Sequence, residues 1–378
     1  MDDDRMDLLL REAGEDFRAT HTRPAVVRTA PATTHRRWLL PAGAAAAAAA
    51  LVVGLAVTLP EGSSRTTPAA PVSVPLGMGQ VGAVELGADW VAVAGRDLTS
   101  PPTQDRIEVR RRADLGEVAD TVRTTYESAV LLCPALDGDT LLWTEVQAGD
   151  LTAGAARQWS LWERDLRARD TRRLEAGTTS DARPSVPCPV AGERWAAWSS
   201  DGQLSVRDLS SGYTYARPDK VVPVAITPAG LIAKHEGTGR LAGRLDVLRY
   251  TGPTYGTRRP LVTVPSGIDL AASGDRLVVI APKQRGVQKV TTCTLPRCEG
   301  WTEISHGAAL TWPTVGEGFA AWSGSGGPFV VRFDSGPVPA TVPGLVPNES
   351  LSAFGDTLAY VVAGFPPTLH LLPVTDSP

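Results

Sequence analysis

A ten-residue pattern recurs along the chain and constrains its fold more than any other feature. It joins a small residue to an acid and continues with a short apolar run, as in LDGDTLLWTE at 136–145 and ASGDRLVVIA at 272–281. The copies lie 36 to 54 residues apart. Aligned on the acid, they stand at Asp89, Asp139, Glu193, Ala229 (a degenerate copy), Asp275, Glu317 and Asp356. Such spacing predicts seven repeats of one supersecondary unit.

Each copy predicts a tight turn that leads into a buried strand. Glycine accepts a positive φ, and aspartate hydrogen-bonds the nearby backbone. The apolar run that follows is too short for a helix. The next segment alternates apolar and polar residues, as in GQLSVRDL at 202–209, which is typical of a half-exposed strand. With one more candidate strand on each side, a unit contains four short strands, like a propeller blade.

Seven such units predict an all-β fold, a seven-bladed β-propeller ectodomain over residues 79–378. A blade cannot bury both of its faces alone, so the blades must close into a ring. The last unit runs out of strands near residue 374, and the segment 72–76 is predicted to supply its missing outer strand. The alternative is a large β-sandwich or two smaller β domains.

Two features resemble the WD-repeat-like and TolB-like propeller families. They are the Gly-Asp turn with its apolar strand, and the strand endings ERDL at 163–166 and VRDL at 206–209. The resemblance covers about residues 79–378. It implies a propeller that serves as a binding platform, with its partner left open.

Residues 38–59 form an apolar stretch of 22 residues without a charge. As a helix it spans about 33 Å, enough for the hydrocarbon layer of a membrane. Arg36 and Arg37 precede it, so the positive-inside rule predicts a single-pass anchor with residues 1–37 in the cytoplasm and the C-terminal domain outside. A cleaved signal peptide is the alternative. Residues 60–78 are predicted to be a Pro/Ser/Thr-rich linker.

The N-terminal tail contains a short amphipathic pattern. Met6, Leu9, Leu10, Ala13 and Phe17 fall on one helical face, and a helix of this length is marginal in water without a partner. Residues 1–19 therefore predict a possible cytoplasmic partner. The layout resembles membrane-anchored anti-sigma regulators, although the His/Cys zinc motif of many of them is missing. A disordered tail that only sets topology is the alternative.

All four cysteines follow the apolar stretch, which suits an oxidising exterior. Cys293 and Cys298 frame a short loop that contains Pro296, so a disulfide that closes a hairpin at the edge of one blade is predicted. Cys133 and Cys188 precede their turn acids by six and five residues in successive copies, so a disulfide between neighbouring blades is predicted. Zinc binding is disfavoured, because there is no Cys-x-x-Cys and no nearby histidine pair.

No catalytic, metal or cofactor motif is predicted. GMGQVG at 77–82 matches a nucleotide-binding pattern, but a Pro-rich segment precedes it and a strand follows, so we interpret it as a turn. His235, His306 and His370 have no triad context. The turn acids favour turn formation over calcium binding. The net charge of −4 gives no basic surface for nucleic acid. Four lysines and a single asparagine, with abundant Arg, Ala, Gly and Pro, resemble the composition of actinobacterial proteins.

The sequence thus predicts a protein of the cell membrane that displays an extracytoplasmic propeller. Its predicted function is non-catalytic binding of a protein or small ligand at the propeller face. The alternatives are an anti-sigma-like transmembrane regulator, acting through its cytoplasmic helix, and an exported hydrolase built on a propeller scaffold.

Overall fold

The described residues form seven four-stranded antiparallel sheets, so the prediction of an all-β, seven-bladed propeller is confirmed and the sandwich alternative is wrong. The computed structural model describes residues 71–374 except 97–104, 127–128, 148–156, 180–185, 236–240, 252–253, 265–267, 285, 325–326, 335–339, 342–349 and 365. Among these residues there is no helix with the length and apolar character needed to cross a bilayer. The predicted segments 1–37 and 38–59 lie outside them.

The strands follow one another along the chain in blade order, with β1 (Val72–Pro75) first. Blades 1 to 4 contain β2 (Gln80–Leu86), β3 (Trp90–Arg96), β4 (Arg106–Arg111) and β5 (Asp114–Arg123); β6 (Ala129–Asp137), β7 (Thr140–Gln147), β8 (Arg157–Asp165) and β9 (Thr171–Thr179); β10 (Val190–Gly192), β11 (Trp195–Ser200), β12 (Gln203–Asp208) and β13 (Thr214–Pro218); and β14 (Val221–Thr227), β15 (Gly230–His235), β16 (Arg244–Thr251) and β17 (Thr254–Thr263). Blades 5 to 7 contain β18 (Asp269–Ser273), β19 (Arg276–Ile280), β20 (Gln288–Thr294) and β21 (Thr302–Gly307); β22 (Thr311–Gly316), β23 (Phe319–Gly324), β24 (Gly327–Arg332) and β25 (Ala340–Thr341); and β26 (Leu351–Phe354), β27 (Thr357–Val362) and β28 (Thr368–Pro373).

The blades form a closed ring. The innermost strand of each blade contacts that of the next, and β26 contacts β2. Turns between the first and second strands meet at one end, where the Glu317 amide donates to the carbonyl oxygen of Gly355 at 2.5 Å. We call this end the turn-acid end, after Asp89, Asp139, Glu193, Asp275, Glu317 and Asp356. The other end carries the second-to-third strand connections and the links between blades, and we call it the linker end.

The ring is closed by β1, as the sequence predicts for residues 72–76. This strand is the outermost of blade 7 and pairs antiparallel with β28, with Val74 opposite Leu369. The chain then passes through Leu76 and Met78, each 1% exposed, into blade 1. The guanidinium of Arg106 donates to the carbonyl oxygen of Gly77 in this link. Blade 7 therefore joins strands from the two ends of the described chain.

A small polar contact also fastens β1. The Ser73 hydroxyl oxygen lies 2.7 Å from Nδ1 of His370, and the His370 ring stacks on Tyr360 with the centroids 4.9 Å apart. Burial lowers the pKa of His370 and raises the pKa of Tyr360. Both rings are therefore uncharged near neutral pH, which suits their stacked, partly buried arrangement.

The recurring turns are tight hairpin loops; in three of them the glycine before the acid has a φ between +53° and +58°, whereas in the blade 3 turn Glu193 and Arg194 have positive φ themselves. Gly138 has a φ of +53° and precedes Asp139 in a two-residue hairpin loop, as in a type II′ turn. The carbonyl oxygen of Asp139 accepts the amide of Leu166 at 2.8 Å, which ties the turn to the third strand of the same blade. The same bond recurs at Asp89, Asp275 and Asp356, with distances between 2.6 and 2.8 Å. The repeat therefore encodes a link between the turn and the rest of its blade.

Hydrophobic clusters fill the interfaces between the described blades, one cluster at each of seven interfaces. A large aromatic side chain at the fourth position of the second strand packs toward the preceding blade. Four blades use Trp143, Trp198, Trp322 and Tyr360, none of them more than 3% exposed. The bulky residue that ends the apolar run in the sequence is thus the residue that joins one blade to the one before it.

The ERDL and VRDL endings contain an arginine that reaches the preceding blade. Arg164 binds Asp120 of blade 1 through two bonds of 2.6 and 3.1 Å, and Arg207 binds Glu163 of blade 2 at 2.5 Å. Asp208, the next residue, accepts hydrogen bonds from the hydroxyl and amide of Ser210, which lower its pKa. The arginine thus links two blades, while the aspartate shapes the following turn.

The structure contains two disulfides. Cys133 of β6 is bonded to Cys188 in the segment before β10, and Cys293 of β20 to Cys298 in the following turn. The first crosses from blade 2 to blade 3 and closes a loop of 55 residues. In the chain-entropy model a loop of this length contributes about 4 kcal/mol. Two disulfides in one domain fit an oxidising compartment outside the cytoplasm.

The closing strand provides a stability prediction with an internal control. Val74 packs against the hydrophobic cluster between blades 7 and 1, whereas Val72, at the start of the same strand, is 59% exposed. We expect Val74→Asp to lower the free energy of unfolding by about 1–3 kcal/mol, because it buries a carboxylate without a partner. Val72→Asp should change it by less than about 0.5 kcal/mol. Urea unfolding of the two variants measures the difference, and equal effects would contradict the role assigned to β1.

Two arginines bind the Glu163 carboxylate, and substituting each of them gives a second pair of variants. Arg207 binds it from blade 3 with its side chain 6% exposed, while Arg172 of blade 2 binds it with a side chain 52% exposed. Arg207→Ala should destabilise the fold by about 3–5 kcal/mol, because it leaves a buried charge poorly paired. Arg172→Ala should cost less than about 1 kcal/mol, because solvent screens the pair. A larger loss from Arg172→Ala in thermal or urea unfolding would show that the buried pair does not hold the blades together.

Candidate functional site

A cleft of about 270 Å³ opens on blade 2. It lies between three strands of this blade and the connection that enters it from blade 1, which contributes Tyr126. Its main polar lining comes from β7, β8 and β9: Glu145, Gln147, Gln158, Ser160, Arg173 and Thr178.

The period of two along a strand brings these side chains to one face of the sheet. Glu145 lies opposite Ser160, and Gln158 lies opposite Thr178. Trp162, which packs toward blade 1, lies opposite Arg173 on the same side. From Arg173 to Thr178 the strand advances by roughly 16 Å, so the cleft is elongated along β9.

Several hydrogen-bonding side chains in the cleft have no partner among the described residues. They are the amides of Gln147 and Gln158, the hydroxyls of Tyr126, Ser160 and Thr178, and the guanidinium of Arg173. Most face solvent at least in part, so water satisfies them in the free protein. A ligand that replaces this water must offer both donors and acceptors.

Glu145 forms the floor of the cleft and is only 3% exposed. One carboxylate oxygen accepts the amides of Thr125 and Tyr126 at 2.5 and 3.3 Å, and the other accepts the Thr125 hydroxyl at 2.8 Å. Through these bonds the buried Glu145 carboxylate holds the link between blades 1 and 2 in place. Tyr126 is itself 46% exposed, and these bonds hold it at the edge of the cleft.

The sheet is backed on its other face by Trp159. This indole is 4% exposed and belongs to the cluster between blades 2 and 3. A Cβ atom on Gly177 would lie 2.5 Å from Cζ2 of the indole, closer than atoms can approach. Glycine at 177 therefore lets Trp159 lie flat against β9 and keeps the cleft wall in place.

The three histidines considered in the sequence lie on different blades. His235 ends β15, where its Nε2 is 2.7 Å from Oδ2 of the fully buried Asp246. Arg244 and Arg258 also bind Asp246, and Arg258 reaches Asp219 in the link from blade 3, so this is a buried ion network between two blades. His306 is exposed beside Glu303 on blade 5, and His370 supports the closing strand.

The six turn acids each lie between the first and second strands of their blade. Asp139 accepts a bond of 3.0 Å from the indole nitrogen of Trp90 in the neighbouring blade. Burial raises the pKa of Asp137, two residues before Asp139, and Asp137 also accepts a hydrogen bond from the Arg194 amide. Across the described part of the chain, no three His, Cys, Asp or Glu side chains are grouped to hold a metal ion. The predicted partner-helix face, Met6, Leu9, Leu10 and Phe17, lies outside the described residues.

The cleft residues were missed in the sequence analysis. A local signal for part of the set exists, since Glu145 and Gln147, and Gln158 and Ser160, alternate with apolar residues in neighbouring strands. The contribution of Tyr126 has no such signal, because it depends on how the link between blades folds over β7.

A scan against protein-family models and a search of curated proteins both find no match. Solved structures do match. The β-propeller domain of the Trilobed protease from Pyrococcus furiosus is 10% identical with a TM-score of 0.51, covering 82% of this chain and 97% of that one. YCF48 bound to D1 peptide is 11% identical with a TM-score of 0.50, covering 83% and 98%. BamB from Moraxella catarrhalis is 13% identical with a TM-score of 0.44, covering 82% and 98%. At these identities the likeness shows the fold.

The packing behind the cleft can be tested at Gly177. We expect Gly177→Ala to destabilise the fold by about 1–3 kcal/mol, because the new methyl group overlaps the Trp159 ring. The matched control is Gly116→Ala in outer strand β5, where the new Cβ meets only an oxygen of Asp114 at 3.4 Å. Urea unfolding measures both variants. The account of the cleft wall is wrong if the two substitutions have the same effect.

Proposed function

We propose that this protein is a binding module displayed outside the cytoplasm, and that its blade 2 cleft takes up an extended peptide segment of a partner protein. In this proposal residues 38–59 tether the domain to the membrane and the segment after them leads to the closing strand. The two disulfides support the extracytoplasmic placement.

The observation that carries the proposal is the convergence of unpaired polar side chains on one elongated cleft. Glutamine side chains offer the same donor and acceptor pair as a peptide bond, so Gln147 and Gln158 match a peptide backbone. Tyr126 adds an exposed aromatic ring of the kind that is enriched where proteins bind one another. The rigid sheet beneath these groups keeps them in position before a ligand arrives.

The size of the cleft also favours part of a longer chain. Pockets that enclose a whole drug-sized molecule measure roughly 300–1,000 Å³. At about 270 Å³, this cleft is better suited to a few residues of a peptide that continues past it. A chain of similar fold, YCF48, has been observed with a bound peptide, which supports this use of the architecture.

A peptide display selection on the full 378-residue chain tests the proposal. The cleft variant combines Tyr126→Ala with Gln158→Ala. Its matched control combines Tyr213→Ala with Gln203→Ala, which alters a 69% exposed tyrosine and an exposed strand glutamine on blade 3. We expect peptides enriched on the unmodified chain to bind the cleft variant about ten-fold more weakly or worse, because each lost hydrogen bond contributes about 1 kcal/mol.

The control variant should bind the same peptides as tightly as the unmodified chain, measured by fluorescence anisotropy. If no peptide is enriched, or if the two double variants bind equally well, the cleft is not a peptide site.

A further inference from the structure

We infer that the cleft selects peptide segments that present a carboxylate, and that Arg173 is the residue that determines this specificity. The inference rests on the proposed peptide binding and adds the chemical class of the ligand. It follows from the charge pairing around blade 2.

Two arginines near Arg173 are already paired with acids. Arg164 binds Asp120 through two bonds, and Arg172 binds Glu163 with its Nε 3.0 Å from the carboxylate. Arg173 is exposed and has no ion pair among the described residues, although it sits in the same strand as Arg172. An unpaired guanidinium that lines a cleft has its donors available for a ligand.

Glu145, the one acid among the described residues that line the cleft, does not neutralise Arg173. Both oxygens of Glu145 accept bonds from Thr125 and Tyr126, and the carboxylate is buried on the floor of the cleft. Arg173 lies in the exposed wall. A ligand anion can therefore reach Arg173 from solvent without displacing an internal partner.

The geometry of guanidinium favours a carboxylate in particular. Its planar fork donates two parallel hydrogen bonds to the two oxygens of a carboxylate. In an extended peptide held by Gln147 and Gln158, a residue further along the cleft lies beside Arg173. The carboxylate has two possible sources, an acidic side chain or the free C-terminus of the peptide, and the two share the same recognition chemistry.

The test is a parallel display selection with one random peptide library on four forms of the full chain. They are the unmodified protein, Arg173→Gln, Arg173→Glu, and Arg259→Gln as a matched control. Arg259 is also exposed on an outer strand, β17 of blade 4, and does not line the cleft. The readout is the frequency of Asp and Glu among retained peptides.

We expect an excess of Asp and Glu among the peptides retained by the unmodified chain and by Arg259→Gln. It should disappear on Arg173→Gln and be replaced by an excess of Lys and Arg on Arg173→Glu. In anisotropy titrations, an enriched peptide should lose about ten-fold in affinity when its acid is changed to the amide, since hydrogen bonds to charged groups are the stronger ones. This loss should vanish on Arg173→Gln.

Synthetic versions of the enriched peptides distinguish the two sources of the carboxylate. If amidation of the C-terminus abolishes binding while Asp→Asn or Glu→Gln does not, the site reads the chain terminus; the reverse result assigns an acidic side chain. Either result supports the inference.

Failure of the inference can be told apart from failure of the peptide site. Peptides that depend on Tyr126 and Gln158 but show no carboxylate preference would overturn the role of Arg173 and leave peptide binding intact. Peptides that bind equally to the cleft variant would overturn both. An acidic preference that survives Arg173→Gln would also overturn the inference.

Discussion

The whole fold depends on one constraint: a blade has apolar side chains on both faces and cannot bury either one alone. In the described structure, neighbouring blades cover these faces in pairs, with Trp198 and Trp322 among the least exposed of all side chains. A row of blades would leave two apolar faces open at its ends, so the row must close. Closure brings β26 beside β2 and β1 beside β28, which makes the two ends of the domain depend on one another.

The sequence was sufficient to predict the blades because their signals are local. A turn such as Gly138–Asp139 and the alternation of its flanking strands need no knowledge of distant residues. Even the degenerate copy forms a hairpin, because Gly230 takes a φ of +129° with the carbonyl oxygen of Leu248 close to where a Cβ would lie. The cleft is different in kind. Tyr126 and Gln158 come from separate elements, and their proximity depends on Glu145 holding the link between blades, which no periodicity in the sequence reveals.

Buried charges add a second layer of specificity to this apolar ring. Arg110, Arg164 and Arg207 occupy the same register in the third strands of blades 1, 2 and 3, opposite Val91, Leu141 and Ala196. Their partners differ, because Arg110 uses Glu108 of its own strand whereas the others use an acid of the preceding blade. The arginine is thus part of the repeat, while the acid is particular to each interface. Pairing a blade with the wrong neighbour would leave a buried charge without a partner, which is strongly unfavourable. These pairs therefore make each interface specific for its own two blades, in addition to the apolar packing.

The same pairing logic explains why Arg173 of blade 2 is left without an acid partner among the described residues. Arg172 and Arg173 are adjacent in β9, so their side chains point to opposite faces of the sheet. On the side toward blade 3, Arg172 shares Glu163 with Arg207. On the side toward blade 1, Asp120 is fully engaged by Arg164, and Glu145 is engaged by the link at Thr125 and Tyr126. Asp120 and Glu145 already bind groups that hold neighbouring blades together, so they do not neutralise Arg173. The charge of Arg173 therefore remains available at the cleft, beside the unpaired amides of Gln147 and Gln158, and this combination is what recognition of a peptide carboxylate requires.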